Sequence, residues 1–316
     1  MKKNNNKKLI PFFVVDRPIS LDILMCLFSK YPKRKWGILT HAFTSEKFKK
    51  KFKDFPKSST CLLNKEKQIS LNISRNNIIK IVDSGIFVSK REISYEELFE
   101  IYEFLDADFG VIIDHLKDVD RTLESAKKAL EVYKRRTYKF KLIAVAQGNT
   151  IEEYLKCYEE LRKMGYKYIA IGGLLKRKGN SSIVVLKCEK FLKDLLERIK
   201  EKFDPTWLFT FGVFNQKRIS TLKNFNVTGA DYKGWLFQYD TNYSNLWDYI
   251  NKESFSKADI EKINFLLKEV KKGKNRKERN LLKKEIDNIL RKYNLTLQEV
   301  RISQILSSLE KHLKNI

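Results

Sequence analysis

The sequence predicts an α/β protein: a (β/α)₈ barrel of the TIM type with an inserted hairpin and a basic helical appendage at its C-terminal end. Two observations predict this class. About eight short runs of β-branched and aromatic residues recur along the chain, and stretches with helix signals separate most of them. The runs are almost continuously apolar, which is typical of strands buried on both faces of a parallel sheet. An open doubly wound sheet is the structural alternative.

The predicted strands set the extent of the barrel. In chain order they are Leu9–Val15, Trp36–Thr40, Ile78–Val82, Phe109–Ile113, Lys141–Ala146, Lys167–Ile171, Trp207–Phe211 and Asn226–Gly229. A barrel of eight such strands and their helices usually occupies ~250 residues. We therefore expect residues 8–245 to form the barrel.

Helix boundaries are marked between the strands. Ser94 with Glu97, and Thr150 with Glu153, have capping-box spacing, in which a hydroxyl and a carboxylate satisfy free backbone N–H groups. Gly165 follows where a helix end needs a left-handed residue. Two alternating apolar runs within Cys61–Ser74, around Asn64–Lys67, predict a hairpin inserted between the second and third strands.

The strand pattern stops after Asp240, and residues 246–316 are predicted to form the helical appendage. Its helical pattern is an apolar stripe followed by a capping box, Thr296 with Glu299. The stripe consists of Leu282, Ile286, Ile289 and Tyr293.

The charge of the chain is strongly positive. Its 316 residues include 64 Lys and Arg against 39 Asp and Glu, a formal net charge of +25. Such an excess favours a polyanionic partner, nucleic acid first and an anionic membrane surface second. The richest segment is 271–284, and a solvated helix face is the alternative explanation for it. Its candidate nucleic-acid contacts are Lys271, Lys272, Lys274, Arg276, Lys277 and Arg279.

Other classes of protein are disfavoured. Leu9–Val15 is much shorter than the roughly 20 residues that span a bilayer, and no cleavage site follows it, so we expect a cytoplasmic protein without a membrane partner. The four cysteines form no CxxC pair and the three histidines are scattered. This spacing predicts reduced thiols and no metal site or cofactor.

Polar residues and glycines follow nearly every predicted strand. In a barrel these carboxyl ends converge on one mouth, although a strand-end aspartate can also simply cap the next helix. The rim consists of Asp16, His41, Asp83, Asp114, Gln147, Gly172, Gly173, Gly212 and Asp231. One carboxylate could accept hydrogen bonds from a guanine-like edge, while an amide donates to the ring carbonyl. A second carboxylate could attack C1′ of a sugar and a third could move a proton, which together permit base exchange at a glycosidic bond.

Four short motifs resemble those of the tRNA-guanine transglycosylases in residue type and order. They are Ile-Val-Asp-Ser-Gly at 81–85, Ala-Val-Ala-Gln-Gly at 144–148, Tyr-Ile-Ala-Ile-Gly-Gly-Leu at 168–174 and Phe-Gly-Val at 211–213. These barrel enzymes exchange guanine in a nucleic acid for a 7-deazaguanine. The resemblance covers about Leu9 to Asp240.

The resemblance implies roles for individual residues. Asp83 is similar to the family's general acid/base aspartate, and Asp114 to the aspartate that reads the guanine edge. The remaining substrate-binding residues implied are Ser84, Gly85, Gln147, Gly148, Gly173 and Leu174.

The resemblance also implies a candidate nucleophile, although it leaves open whether the chain is catalytic. The tRNA enzymes use the second aspartate of a Gly-x-Asp-x-Phe-Asp element, whereas this chain reads Gly-Ala-Asp-Tyr-Lys-Gly-Trp at 229–235, with Gly234 at that place. Asp231 and Trp235 resemble the Asp-Ser-x-Ser-Trp-like element of the DNA-modifying branch. Either Asp231 is the nucleophile or the chain is a non-catalytic relative.

The choice of nucleic acid follows from a missing element. The tRNA enzymes carry a Cys-x-Cys-x-x-Cys zinc element after the last strand, and no cysteine follows Cys188 here. The expected function is therefore replacement of guanine in DNA by a 7-deazaguanine, such as a 7-cyano or 7-aminomethyl derivative, through a covalent aspartyl-glycosyl intermediate. The alternatives are the same reaction on tRNA and a non-catalytic nucleic-acid-binding subunit. An enzyme acting on a small phosphorylated substrate would explain the rim but not the charge.

Overall fold

Eight parallel strands close into a barrel in the computed structural model of the chain, which confirms the predicted (β/α)₈ fold. The structure describes residues 9–59, 73–89, 91–177, 184–235, 246–248, 250–273 and 275–313, so nearly all of the predicted hairpin lies outside the described residues. The barrel strands are β1 (Ile10–Val14), β2 (Trp36–His41), β3 (Ile78–Asp83), β4 (Phe109–Val111), β5 (Lys141–Ala146), β6 (Tyr168–Ile171), β9 (Leu208–Thr210) and β10 (Gly229–Tyr232). The barrel closes where β1 pairs with β10, with Ile10 opposite Gly229.

Helices follow the barrel strands and cover the outside. They are α1 (Pro18–Lys30), α2 (Glu46–Asp54), α3 (Ile86–Ser89), α4 (Tyr95–Phe104), α5 (Val119–Tyr133), α6 (Ile151–Lys163), α7 (Glu189–Phe203) and α8 (Ile219–Asn224). The predicted caps are confirmed: Ser94 and Thr150 each accept a hydrogen bond from the backbone N–H three residues on, and Gly165 has a φ of 97°.

The last barrel strand lies further along the chain than predicted. The prediction was Asn226–Gly229, but Asn226 has a left-handed φ of 55° and the Val227 N–H donates to the Leu222 carbonyl, so these residues end α8. The strand begins at Gly229, and Asp231 therefore lies within it rather than after it.

A small antiparallel sheet, β7 (Leu175–Arg177) with β8 (Val184–Leu186), follows β6 directly. The sequence analysis did not predict it, because each strand has only three residues.

The barrel interior is filled around Phe12. A Cβ atom built on Gly37 would lie 2.3 Å from the Phe12 ring, and one on Gly229 would lie 2.7 Å from it. The Phe12 ring also packs edge-on against Phe209, with 5.0 Å between the ring centroids. Glycine at 37 and 229 thus gives the space that this one aromatic ring occupies.

Within the described residues, three α-helices follow the barrel: α9 (Lys257–Lys272), α10 (Arg276–Arg291) and α11 (Leu297–Leu313). A second apolar cluster joins them, and it buries Ile286 and Ile289 of the predicted stripe. The predicted capping box is confirmed, since the Glu299 N–H donates to Thr296 Oγ1 and the Thr296 N–H donates to Glu299 Oε2.

The appendage is joined to the barrel through α11. The N-terminal part of this helix packs in the second cluster, whereas Ile305 and Leu309 belong to the core cluster of the barrel. Lys30 at the end of α1 forms an ion pair with Glu310, with 2.6 Å between nitrogen and oxygen.

Two further sequence expectations concern cysteines and membranes. Cys26 is disulfide-bonded, so the prediction that all four thiols are reduced is wrong, whereas Cys157 and Cys188 are free. Within the described ranges, none of the helices has the length and apolar character needed to cross a bilayer.

We expect Gly37→Ala to destabilise the protein, because the new methyl group would collide with the Phe12 ring inside a closed barrel. Overpacking of this kind costs about 1–3 kcal/mol, which lowers the melting temperature by a few degrees. Gly273→Ala is the matched control, since its Cβ would press only on the flexible Arg279 side chain and would lie at an ordinary 3.6 Å from the Glu269 carbonyl oxygen. Thermal unfolding of both variants checks this, and Phe12→Leu combined with Gly37→Ala should recover part of the loss. Equal stability of the Gly37 variant and the native protein would contradict the packing described.

Candidate functional site

The side chains that face the barrel interior become polar at its carboxyl end. Side chains alternate along a strand, so residues two apart share a face. Gly229 faces Phe12 inside the barrel, and Asp231 is therefore directed inward as well. By the same alternation Asp83 follows Ile81 on β3, and Asp83 pairs in register with His41 of β2.

Asp114 and Gln147 form a hydrogen-bonded pair at this end. Gln147 Nε2 donates to Asp114 Oδ2 over 2.5 Å, and the backbone N–H of Lys117 donates to Gln147 Oε1 over 3.5 Å. Both residues are buried. Burial, together with the negative charge of Asp83, raises the pKa of Asp114 to about 7, although the hydrogen bond from Gln147 opposes the rise. The pair therefore presents an acceptor whose charge changes near neutral pH.

Asp231 is held by a backbone donor from the neighbouring strand. The Gly212 N–H donates to Asp231 Oδ1 over 2.6 Å, and Asp231 as a residue is only 5% exposed. Burial raises the pKa of Asp231 to about 7; the Gly212 N–H opposes this, and the charge of Asp83 adds to it. Gly212 has a φ of 73°, a conformation that most residues avoid, which explains glycine at this place.

Asp83 links the other two carboxylates. It is half-buried, and desolvation raises its pKa despite hydrogen bonds to Oδ1 from the Gly85 N–H (3.4 Å) and Ser84 Oγ (3.3 Å). Its charge raises the pKa of both Asp114 and Asp231. The structure thus brings the three predicted carboxylates into one electrostatically coupled group. Because like charges in a desolvated site oppose one another, full ionisation of all three is unfavourable.

Two glycines after β6 make room for Gln147. A Cβ on Gly173 would lie 2.3 Å from Gln147 Oε1, and one on Gly172 would lie 2.6 Å from Gln147 Nε2. The peptides of these glycines are also fixed, since Tyr154 donates to the Gly172 carbonyl and Lys187 Nζ donates to that of Gly173. The resemblance implies a substrate-binding role for Gly173, and in the structure both glycines accommodate the amide of the protein itself.

The other predicted pocket residues surround this core. Ser84, Gly85 and Leu174 are buried at the strand ends, and Gly85 has a φ of 72° beside His41. Gly148 has a different role, because a Cβ there would lie 2.8 Å from the backbone nitrogen of Tyr154. Its missing side chain lets α6 pack closely against β5.

Two rim residues without an assigned role have buried polar atoms that lack a hydrogen bond. Within the described part of the chain, His41 Nδ1 and Asp16 Oδ1 have no hydrogen-bond partner, although Arg17 Nε lies 3.8 Å from the latter. Burial, and then the charge of Lys233, lower the pKa of His41, so its ring is neutral near pH 7. These atoms are available to a ligand. No residue spacing indicated Lys187 or Lys233, since both reach the site through loop geometry.

The predicted nucleic-acid contacts lie on the appendage, partly beyond the described residues. Lys274 and the side chains of Lys271 and Arg276 are not among them. Lys272 is exposed and pairs with Glu269 over 2.8 Å, and Arg279 Nε donates to the Asn275 carbonyl. Lys277 is exposed on α10, so it is accessible to a phosphate.

Comparisons with known proteins found only weak similarities to this chain. No family model matches the chain, and no curated protein matches it. Similar solved structures include the YdjI aldolase from Escherichia coli K12, at 10% identity over 98% of this chain and 93% of that one, with a TM-score of 0.48. A proposed fructose-1,6-biphosphate aldolase from Coccidioides immitis is 11% identical over 97% and 93%, with a TM-score of 0.49. Similarities this weak support no conclusion about function.

We expect Asp231→Asn to stabilise the protein increasingly as pH rises from 5 to 8. The folded carboxyl keeps its proton up to about pH 7 whereas the unfolded one loses it near 3.8, so the native protein loses stability across this interval. The amide cannot ionise, yet it keeps an acceptor for the Gly212 N–H. Its advantage in unfolding free energy should grow by roughly 1–3 kcal/mol between the two pH values.

Urea denaturation at pH 5 and pH 8 measures this difference. Asp54→Asn, at an exposed position on α2, is the control and should show no such trend. An advantage of the Asp231 variant that is the same at both pH values would show that the native carboxylate is not desolvated.

Proposed function

We propose that the protein is an enzyme that replaces guanine in DNA with a 7-deazaguanine base through a covalent aspartyl-glycosyl intermediate. The observation that carries the proposal is the coupled group of Asp83, Asp114 and Asp231, with Gln147, at the carboxyl end of the barrel. Active sites of such barrels lie at this end.

Recognition of guanine is assigned to Asp114 and Gln147. Guanine presents two adjacent N–H donors on one edge, which the Asp114 carboxylate can accept, and a carbonyl oxygen beside them. Gln147 Nε2 has two N–H groups and uses one of them on Asp114, so the second remains for that carbonyl. Because Lys117 and the two glycines hold the amide in place, both polar groups are oriented before a base enters.

The backbone donors support different roles for the other two carboxylates. Asp231 has a short 2.6 Å hydrogen bond from Gly212, which stabilises its ionised form as a nucleophile. Asp83 accepts only longer hydrogen bonds, of 3.3 and 3.4 Å, which stabilise its ionised form less, while burial raises its pKa and favours the protonated acid. Asp231 would attack C1′ while the C1′–N9 bond breaks and Asp83 gives its proton to the departing guanine. In the second displacement Asp83 takes the N9 proton of the 7-deazaguanine, whose nitrogen attacks C1′ and releases Asp231.

The polyanionic substrate is supported by charge. A net charge of +25 attracts nucleic acid, and binding should weaken steeply with salt. The target nucleotide must be flipped or single-stranded to enter the mouth, which costs a few kcal/mol that phosphate contacts can offset. The sequence has no cysteine after Cys188, and for this reason we favour DNA over tRNA.

We expect the native protein to incorporate 7-cyano-7-deazaguanine into single-stranded DNA and to form a denaturation-stable adduct with it. Asp231→Asn should lose both adduct and exchange, because no carboxylate remains to attack C1′. Asp83→Asn should slow exchange by about 10²–10⁴-fold, the usual contribution of proton transfer. Nucleoside mass spectrometry and denaturing gels measure the two outcomes, with Asp54→Asn as the control variant.

Other outcomes of that experiment identify the alternatives. Incorporation into tRNA alone would transfer the same chemistry to RNA and overturn the choice of DNA. Nucleic-acid binding without adduct or exchange in the native protein would identify a docking subunit. Exchange by a folded Asp231→Asn protein would remove Asp231 as the nucleophile.

We expect Asp114→Asn to bind guanine about ten- to a hundredfold more weakly, because one acceptor becomes a donor facing the N–H groups of the base. Calorimetric titration with guanine and with hypoxanthine, which lacks the 2-amino group, measures the effect. The native protein should prefer guanine, and the variant should lose most of that preference. An unchanged preference would mean that Asp114 does not contact the base.

A further inference from the structure

A cavity with a volume of about 400 Å³ lies at the amino-terminal end of the barrel, opposite the three carboxylates. This is within the size range of small-molecule sites, roughly 300–1,000 Å³. Three partly exposed aromatic side chains at strand starts line it, Phe109, Tyr168 and Trp207, with Phe12 and Phe209 buried beside them. None of these residues belongs to the carboxylate group at the other end.

The aromatic rings of this cavity form an ordered stack. The Trp207 ring lies nearly parallel to Phe109, at 5.6 Å and 24°, and to Phe209, at 6.1 Å and 16°. Tyr168 meets the Trp207 ring edge-on at 5.4 Å and 89°. Trp207 remains partly exposed beside these rings, and a planar base can stack on an accessible aromatic ring.

Positive charge surrounds the stack. Lys141 Nζ lies 5.7 Å from the centre of the Phe109 ring and 5.5 Å from that of Tyr168. Lys139 lines the cavity too, and its backbone N–H donates to Glu103 Oε1 over 3.2 Å. Among the described residues, the ammonium group of neither lysine forms an ion pair with a carboxylate. The nearby Asp108 carboxylate is already paired, because its Oδ2 accepts from Arg75 Nη1 (3.1 Å) and from the Lys80 N–H (2.8 Å). The cavity therefore combines aromatic faces with two cations free to meet an anion.

Side chains that only closed this end of the barrel would need neither an open volume nor unpaired lysines beside it. The layer at this end of a barrel is usually filled with branched aliphatic residues and serves stability. Here Lys141 begins β5 on the same strand face as Ile143 and Val145, and the aromatic side chains leave an open volume instead of filling it.

We propose that this cavity binds a nucleotide, with the base stacked on the Trp207 ring and the phosphate contacted by Lys139 and Lys141. The chemistry suits either a free mononucleotide or one nucleotide of a single strand. The site does not depend on the proposed base exchange, since it shares no residue with it.

Fluorescence of Trp207 tests the proposal during titration with deoxyguanosine monophosphate at low salt. Saturable quenching of tryptophan fluorescence is expected in the native protein. Trp207→Phe keeps an aromatic ring at this position but should lose the quenching that Trp207 reports. Lys139→Gln combined with Lys141→Gln should weaken binding about tenfold or more, because both phosphate contacts go. The exposed positions of these lysines make the double variant a mild change to the fold. In Asp114→Asn the part of the quenching that depends on Trp207 should persist, which separates this site from the barrel mouth.

Two further titrations identify the ligand. Deoxyguanosine without phosphate should quench more weakly than the monophosphate, and a short single-stranded oligodeoxynucleotide that quenches at lower concentration would identify a strand as the source. Tighter binding of the mononucleotide would identify a free nucleotide instead. Absence of saturable quenching that depends on Trp207, equal binding with and without phosphate, or no effect of the lysine changes would overturn the proposal.

Discussion

Like-charge repulsion among three carboxylates in a desolvated barrel mouth is the constraint on which the rest of the site depends. Burial, with the charge of Asp83 adding to it, raises the pKa of both Asp114 and Asp231 to about 7, so the ionised form of each carboxylate needs a compensating donor. The donors come from other strands: the Gly212 N–H supports Asp231, and Gln147 supports Asp114. Closure of the barrel brings these donors together, since β4, β5, β9 and β10 converge at one end only in the closed sheet.

The mouth also differs in character from the protein around it. The chain as a whole carries +25, whereas the mouth concentrates acidic groups. Under the proposed function, long-range attraction of a nucleic acid and recognition of its base would therefore fall to different regions. The raised pKa values of Asp114 and Asp231 reduce the electrostatic repulsion between the acidic mouth and a polyanion. A partly protonated carboxylate repels an approaching phosphate less than an ionised one does, and it regains charge where a donor of the substrate reaches it.

The packed barrel interior also separates the polar carboxyl end of the barrel from the aromatic cavity at its amino-terminal end. The ring of Phe12 fills the interior because Gly37 and Gly229 leave the space, and it packs against Phe209. On one side lie the carboxylates, and on the other lie the stacked aromatic rings with Lys141. A ligand at either end is thus kept from the other by packed side chains, and substitutions at the two ends can be examined independently.

Local signals in the sequence determined much of the fold. The apolar runs located seven barrel strands closely, and hydroxyl–carboxylate spacing located helix starts such as Ser94 and Thr150, because both patterns act between residues near in the chain. The same runs predicted which polar residues end the strands. Only the tertiary structure decided that Asp231 lies within its strand, that Gly172 and Gly173 accommodate Gln147, and that α11 returns to the barrel. Nor did the sequence indicate the cavity around Trp207. Each of these features depends on contacts between distant parts of the chain, whose geometry is defined only when the sheet closes and the helices pack on it.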